Sequence, residues 1–539
     1  MKALVVGLDA ACMPVLEPLF ERDVVPTLEG LFESGTSAPM ESHVPPWTPA
    51  AWPSIYTGTN PGKHGSFGFV SYEGYDWDVV SADQIREPAI WELLDQHGYS
   101  SVVVNVPVTH PPTPIDGAVL PGFLGPEEPT CHPEGLLEDV REACSGYRVY
   151  PEEDRTTDAP DDEVFANWLD VTRMRGEATR YLADRFDPDF GFVQFQRTDT
   201  IFHKFPTETD RIEELFRTVD EEIEATLEAT DPDAVFVVSD HGIGPYEGYE
   251  FRVNEYLREG GYIEPTQDPR GMPSWNPMRS QLREGTDETG DDGGPGVLPR
   301  VAAAAAAAGL TTRRVNDVLD TLGVADVVAP YVPDSVKRAG QTHVDFANST
   351  AYMRTRVELG VRVNLEGREP EGVVPQAEYD AVREELIEYL SAAETPDGEP
   401  VFEEVGPREE YFEGPMTTEA VDVVTVPADY DHLLSATLPG EQFADRTGTW
   451  DHKFDGVVAA SGRALDDDVD LGAPRLYDLA PTVLATFGVP VSDRMDGSIL
   501  PVVDEVEARE YDRRSVSAKS EEGPDDGVQD RLADLGYLE

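Results

Sequence analysis

The chain has 539 residues, 40% of them hydrophobic, enough to bury a large core and to build more than one folding unit. It carries 106 Asp and Glu against 41 Lys and Arg, a formal net charge of −65 that disfavours binding to nucleic acid duplexes and anionic membranes. A compact fold tolerates such self-repulsion when salt screens it, and at molar salt the Debye length is about 3 Å, so the composition reads as halophilic.

The start of the chain, Met1-Lys2 followed by Ala3-Leu4-Val5-Val6-Gly7-Leu8-Asp9, is a strand pattern and lacks the apolar stretch and cleavage site of a signal peptide. No segment approaches the roughly 18 apolar residues of a membrane span. Cys12, Cys131 and Cys144 make an odd set without metal-type spacing, which suits a reducing compartment. The expected location is the cytoplasm.

In chain order, short apolar runs at 3–8, Ser101–Val106, Phe190–Phe195 and Ala234–Val238 predict buried strands. Amphipathic stretches at about 13–34, 87–97, 162–186 and 208–229 predict helices between them. This alternation implies a three-layer α/β sandwich, a mostly parallel sheet with helices on both faces. The texture then changes. Residues 265–298 are rich in Gly, Pro and acidic groups and read as an exposed loop. The run Ala302–Ala308 predicts a surface helix, and 345–430 carries strand-like segments with a helix near 377–392. The α/β pattern returns with a strand at Gly456–Ala460 and a helix through Leu476, Leu479, Val483 and Phe487. The expected division is a core formed by 1–261 and 441–502, an inserted cap at 262–440, and an acidic tail at 503–539 ending in a short helix near 528–537. No oligomeric state is specified.

Acidic and histidine residues gather near predicted strand ends, where open α/β sheets place their sites. Asp9 closes the first strand, Asp199 and His203 follow the strand ending at Phe195, and Asp240 and His241 follow Val238. His452 precedes the late strand. Singly, an Asp at a strand end is usually a turn or cap residue and a histidine is usually packed, which is the reading for His64, His97, His110, His132 and His432. Three carboxylates and three imidazoles at strand ends form a mixed O/N set that suits Zn²⁺, or Mn²⁺. Thr48, in Trp47-Thr48-Pro49-Ala50-Ala51-Trp52, reads as a helix N-cap with Pro49 at the first helical position. A hydroxyl there also sits where helix amides face an anion.

The segment Thr48-Pro49-Ala50-Ala51-Trp52-Pro53-Ser54-Ile55-Tyr56-Thr57-Gly58, continuing to Asn60-Pro61-Gly62-Lys63-His64-Gly65, resembles the nucleophile region of the type I phosphodiesterase and nucleotide pyrophosphatase branch of the alkaline phosphatase superfamily. Gly7-Leu8-Asp9, Asp199-x-x-x-His203, Ser239-Asp240-His241-Gly242 and His452 match in order. Asn105-Val106-Pro107, Gly122-Phe123, Asn364–Gly372, Tyr477–Val483 and Asp496-Gly497 extend the resemblance, the last three groups toward predicted phosphohydrolases and phosphomutases. The resemblance implies an alkaline-phosphatase-like fold and two divalent ions, one held by Asp9, Thr48, Asp240 and His241, the other by Asp199, His203 and His452. It implies attack by Thr48 on phosphorus, forming a phosphothreonine that is then hydrolysed, with a small phosphorylated molecule as the partner. Ala10 replaces a common glycine, and Phe69 stands near the position of an asparagine that contacts phosphate in relatives. Diester hydrolysis, monoester hydrolysis and mutase chemistry remain open, and a non-catalytic metal-binding relative is the non-enzymatic alternative. The absence of a Cys/Ser-x-Pro-x-Arg segment disfavours a sulfatase.

Overall fold

A computed structural model describes residues 1–144, 146–151, 159–266, 342–446, 448–467 and 469–514. The Ala302–Ala308 helix, nearly all of the 265–298 loop and the short helix near 528–537 lie outside the described residues. Seven strands form the central sheet: β1 (Ala3–Leu8), β2 (Thr36–Glu41), β3 (Ser101–Val104), β4 (Gly117–Leu120), β5 (Phe190–Phe195), β6 (Ala234–Val238) and, after the ribbon strands β7 (Gly242–Pro245) and β8 (Trp450–Lys453), β9 (Asp455–Ser461). Their order is β2-β9-β6-β1-β5-β3-β4. β1 lies between β5 and β6, parallel to both, with Ala3 opposite Phe190 and Ala234. β9 alone runs antiparallel, between β6 and β2.

The inner strands are continuous apolar runs because helices cover both sheet faces. All six residues of β1 and of β5 are buried. Three helices are needed below: α1 (Met13–Glu21), α2 (Pro26–Ser34) and α3 (Thr48–Thr57). The stretch expected as one helix over 13–34 is divided between α1 and α2. Pro26 has no N–H to donate and disfavours helical geometry at Val25, while Asp23 turns the chain with φ 54°. The long helices α4 (Asp161–Phe186) and α6 (Thr209–Thr230), which flank the short α5 (Arg197–Lys204), pack against each other. α3 packs with the segment Leu479–Thr486, and Trp52 of α3 meets Phe192 of β5 edge-on at 6.0 Å. Gly7 makes this approach possible, since a Cβ there would fall 2.5 Å from the Trp52 ring.

A second, antiparallel sheet is ordered Ala351–Tyr352, Gly360–Val363, Val423–Pro427, Phe402–Pro407, with helix Tyr379–Ser391 against it. Beside it Tyr249–Arg252 pairs with Leu433–Ser435 and with Phe443–Arg446. The Asn364–Gly372 motif is part of this framework. Asn364 donates to the carbonyls of Phe346, Ser349 and Glu371, and Arg368 donates twice to Asp422 at 2.7 and 2.6 Å. Asp422 is fully buried and also accepts from Arg408 and Tyr379. Burial works against its charge, yet the guanidiniums, Arg368 foremost, hold its pKa down at about 2. Asp422→Ala removes the buried carboxylate shared by Arg368 and Arg408 and leaves them, among the described ion pairs, only Glu369 and the exposed Glu409, so a loss of about 3 kcal/mol is expected in denaturant unfolding at neutral pH. Asp496 has a similar tying role: it accepts from the backbone and side chain of Asn60 and pairs with Lys63. Among the described residues, no helix is long and apolar enough to cross a membrane.

Candidate metal centre

The site lies at the C-terminal edge of the parallel strands. Asp9 follows β1, and Asp240 and His241 follow β6. Asp199 and His203 are one turn apart on α5, so their i, i+4 spacing turns both toward one point. His452 arrives by a different route. Because β9 runs against the other strands, its start lies at the edge where they end, and His452 sits just before it on β8, opposite Ile243 of β7. Thr48 opens α3. Trp47, not Thr48, is the cap: its carbonyl accepts from the amides of Ala50 and Ala51, and Thr48 makes no capping bond. The Thr48 hydroxyl turns instead to Asp9 and His241. Pro49 is the second helical residue and has no N–H, so the free amide of this helix start is that of Thr48 alone, fewer than the sequence pattern suggested.

All seven expected residues converge. Thr48 Oγ1 lies 3.4 Å from Asp9 Oδ1 and 3.3 Å from His241 Nε2. His241 Nε2 is 3.2 Å from Asp240 Oδ2 and 3.7 Å from Asp9 Oδ1. Asp199 Oδ1 is 3.1 Å from His203 Nε2 and 3.6 Å from His452 Nε2. The His241 and His452 rings stack at 3.7 Å. Among the described residues, Asp9–Asp240–His241, Asp199–His241–His452 and His203–Asp451–His452 each place their ligand atoms within 4.8 Å of one another. Asp9, Asp199, Asp240, His241 and His452 are completely buried, which is costly for so many ionisable groups unless a cation neutralises them.

Residues 3–430 match the family described as type I phosphodiesterase / nucleotide pyrophosphatase. The chain belongs to this family. It is therefore a phosphoester hydrolase, from a superfamily in which divalent metals are typical. Similar solved structures include phosphonoacetate hydrolase from Sinorhizobium meliloti 1021 in complex with phosphonoformate, at 15% identity and TM-score 0.52, covering 89% of this chain and 94% of that one. Wild-type alkaline phosphatase PafA aligns at 14% identity and TM-score 0.54, covering 93% of this chain and 99% of that one. These likenesses show a shared alkaline-phosphatase-like fold. No curated protein matches the sequence.

In this phosphodiesterase-family site the electrostatics fall into two halves. In the carboxylate-rich half, burial and then the charges of Asp240 and Asp199 push the Asp9 carboxyl far above its usual pKa. Burial opposes the His241 cation, but Asp240 and Asp199 raise its pKa. In the imidazole-rich half, burial opposes charge on Asp199, yet His203, His452 and His241 hold its carboxyl well below the usual range. Burial and then neighbouring His241 drive His452 far toward its neutral form, the form that ligates a metal.

The donor set fits divalent metal. Asp240 Oδ2 is buried and makes no hydrogen bond, and its approach to His241 misses hydrogen-bond geometry. Two imidazoles are oriented from behind: His452 Nδ1 is 3.0 Å from the Pro46 carbonyl and His241 Nδ1 is 3.0 Å from that of Gly242. Such carbonyl contacts fix the tautomer that leaves Nε2 for a metal.

Sequence reasoning missed the residues that hold Asp9. Gln194 donates to Asp9 Oδ2 at 2.6 Å and Trp52 at 3.2 Å, while Asn105 donates to Gln194 in turn. The available signal was a polar residue inside the apolar run Phe190-Gly191-Phe192-Val193-Gln194-Phe195. Asp451 was also missed, and it groups with His203 and His452. Ala10 adopts φ 58°, a left-handed conformation that glycine takes most readily, and its amide donates to Asp240 Oδ1 at 3.2 Å. Gln194→Leu removes one of the bonds that orient Asp9, so metal affinity measured by competition with a chelating dye should fall about 10–100-fold while the fold persists.

Proposed function

We propose that the protein is a two-metal hydrolase of phosphate esters, cleaving phosphodiesters or nucleotide pyrophosphates, with Thr48 as nucleophile. The observation that carries this reading is the position of the Thr48 hydroxyl, in contact with a carboxylate of one ligand group and an imidazole that belongs to two. Asp9, Thr48, Asp240 and His241 would hold one ion, and Asp199, His203 and His452 the other; the mixed O/N donors suit zinc, with manganese as the alternative. Divalent ions at such a site neutralise charge on attacking and leaving oxygens and make an alkoxide attainable near neutral pH.

The chain's own residues do the rest. The start of α3 places the Thr48 hydroxyl 3.4 Å from Asp9 Oδ1 and 3.3 Å from His241 Nε2, so the nucleophile stands among the expected ligand atoms before substrate arrives. Gln194 and Trp52 hold the other oxygen of Asp9, which prevents the carboxylate from rotating. Attack by Thr48 Oγ1 forms the O–P bond of a phosphothreonine and releases the alcohol or phosphate leaving group. Water then cleaves that O–P bond and restores the hydroxyl. Burial of the centre excludes bulk water and strengthens these interactions. The same burial favours a second reading, a monoesterase or phosphomutase, because a mutase must retain its intermediate in a closed site.

The test is hydrolysis of a nitrophenyl phosphodiester beside the matching monoester, in molar salt, after Zn²⁺ or Mn²⁺ is returned to metal-stripped protein. Diester-selective, metal-restored turnover is the expected result. Monoester selectivity would transfer the protein to the second reading, and absence of turnover on both would remove the diesterase assignment.

A further inference from the structure

A cleft of about 590 Å³ lies beside the metal centre, between the central sheet's edge and the second sheet. Its core wall comes from Cys12, Val44, Ile243 and Lys453. Each stands within four residues of an expected metal ligand: Asp9, Thr48, His241 and His452 respectively. The connection is physical as well as sequential. Cys12 Sγ contacts the Ile243 carbonyl at 3.6 Å, Ile243 pairs with His452, and His452 Nδ1 contacts the carbonyl of Pro46, two residues beyond Val44. The facing wall is the second sheet, through Val426, Tyr430 and the carboxylates of Glu403, Glu404 and Asp429.

The geometry points to this cleft as a binding site for a small, ring-bearing organic group that is neutral or cationic, in contact with the segments that hold the metal ligands. Its volume is that of an ordinary small-molecule site. The half-buried Phe454 ring, backed by the buried Tyr430 ring at 5.8 Å, offers aromatic surface beside Val44, with the buried Ile243 and Val426 behind them. The polar lining rejects anions. Lys453 is the sole cation of the lining, and its amine already donates to the Tyr430 carbonyl at 2.8 Å and approaches Asp431 at 3.7 Å. Four acidic residues, Glu403, Glu404, Asp429 and Asp455, belong to the lining; Glu403 accepts from the Asp429 amide and Glu404 from the Tyr411 hydroxyl, and their charge is not offset by a free cation of the lining. A second phosphate there would meet repulsion, whereas an uncharged or ammonium-bearing ring would not. The coupling to turnover rests on the hydrolase reading, but the binding itself does not. The occupant is either the non-phosphate part of a substrate or a separate effector of the same chemistry.

The experiment uses three probes of one shape, benzylamine, benzyl alcohol and benzoate, titrated calorimetrically into the full-length protein in molar salt with Zn²⁺ present. Benzylamine and benzyl alcohol should saturate, with benzoate at least about tenfold weaker. Val426→Trp fills the cleft and should cost the two binders at least about tenfold. Glu404→Lys, at an exposed position, should narrow or reverse the preference against benzoate without threatening the fold. Equal binding of all three probes, or binding unchanged in both variants, would overturn the site. Diester kinetics then separate the sources: a rise in KM alone marks the substrate's own group, and a change in kcat marks an effector. Binding with neither change would overturn the coupling to the metal centre. Loss of turnover altogether, with probe binding intact, would count against the hydrolase reading and leave the site standing.

Discussion

Thr48→Ala is expected to lower kcat for a nitrophenyl phosphodiester by at least about 10³-fold while leaving the bound metal, measured by elemental analysis, nearly unchanged. The two halves of this expectation have separate causes. Thr48 supplies the only hydroxyl in contact with both Asp9 and His241 among the described hydrogen bonds, so its removal takes away the attacking atom. Metal retention follows because six charged or imidazole ligands remain in place, held by Gln194, Trp52, Pro46 and Gly242 rather than by Thr48. Stability should change little, since Thr48 makes no capping bond and Trp47 carries the helix start. Thr48→Ser restores an attacking hydroxyl and should recover a large part of the rate. Wild-type kcat in the alanine variant would remove Thr48 from its role, and loss of metal would make it a structural ligand instead.

The fold was legible where burial is two-sided. Ala3–Leu8, Phe190–Phe195 and Ala234–Val238 are strands with the expected bounds, because uninterrupted apolar runs of that length have few other ways to be buried in an α/β layer. Legibility fell where backbone chemistry cut across the hydrophobic pattern, as at Asp23 and Pro26 between α1 and α2. In the site, residues that directly follow strands could be read from position alone, and the Asp199–His203 spacing already described a helical turn. His452 could not be placed that way. Its location depends on β9 running antiparallel, a matter of long-range topology to which local pattern is blind, so its place before the late strand marked it as a candidate without saying which edge of the sheet it reaches. Gln194, Trp52 and Asp451 escaped for a related reason: each lay beside a residue or in a segment that was noticed, but its own role is a contact that only the folded structure brings together. The Asn60–Gly65 and Asn364–Gly372 motifs illustrate the converse. They carry family resemblance, yet the structure uses Asn60, Lys63, Asn364 and Arg368 to tie segments together.

His43→Phe is expected to stabilise the protein, and to do so more strongly as the pH falls. His43 is 7% exposed, stacks on Tyr477 at 6.0 Å, and neither ring nitrogen has a hydrogen-bond partner. Each unpaired buried polar atom costs about 1–3 kcal/mol, a cost that a phenyl ring in the same stack would not incur. The pH dependence adds to this. Burial lowers the His43 pKa from 6.5 to about 4, so the folded state holds the neutral ring while the unfolded chain takes up a proton below 6.5. Proton uptake by the unfolded chain favours unfolding, so stability is fully present above pH 6.5 and drains away as the pH falls toward 4. From pH 7.5 to pH 5 this single group should remove about 2 kcal/mol from the wild-type protein and nothing from the variant. Denaturant unfolding of both proteins at the two pH values, in the same molar salt, cancels the contribution of the many carboxylates they share. A stability difference that is constant with pH would show that His43 titrates normally, through solvent access or a partner gained in solution.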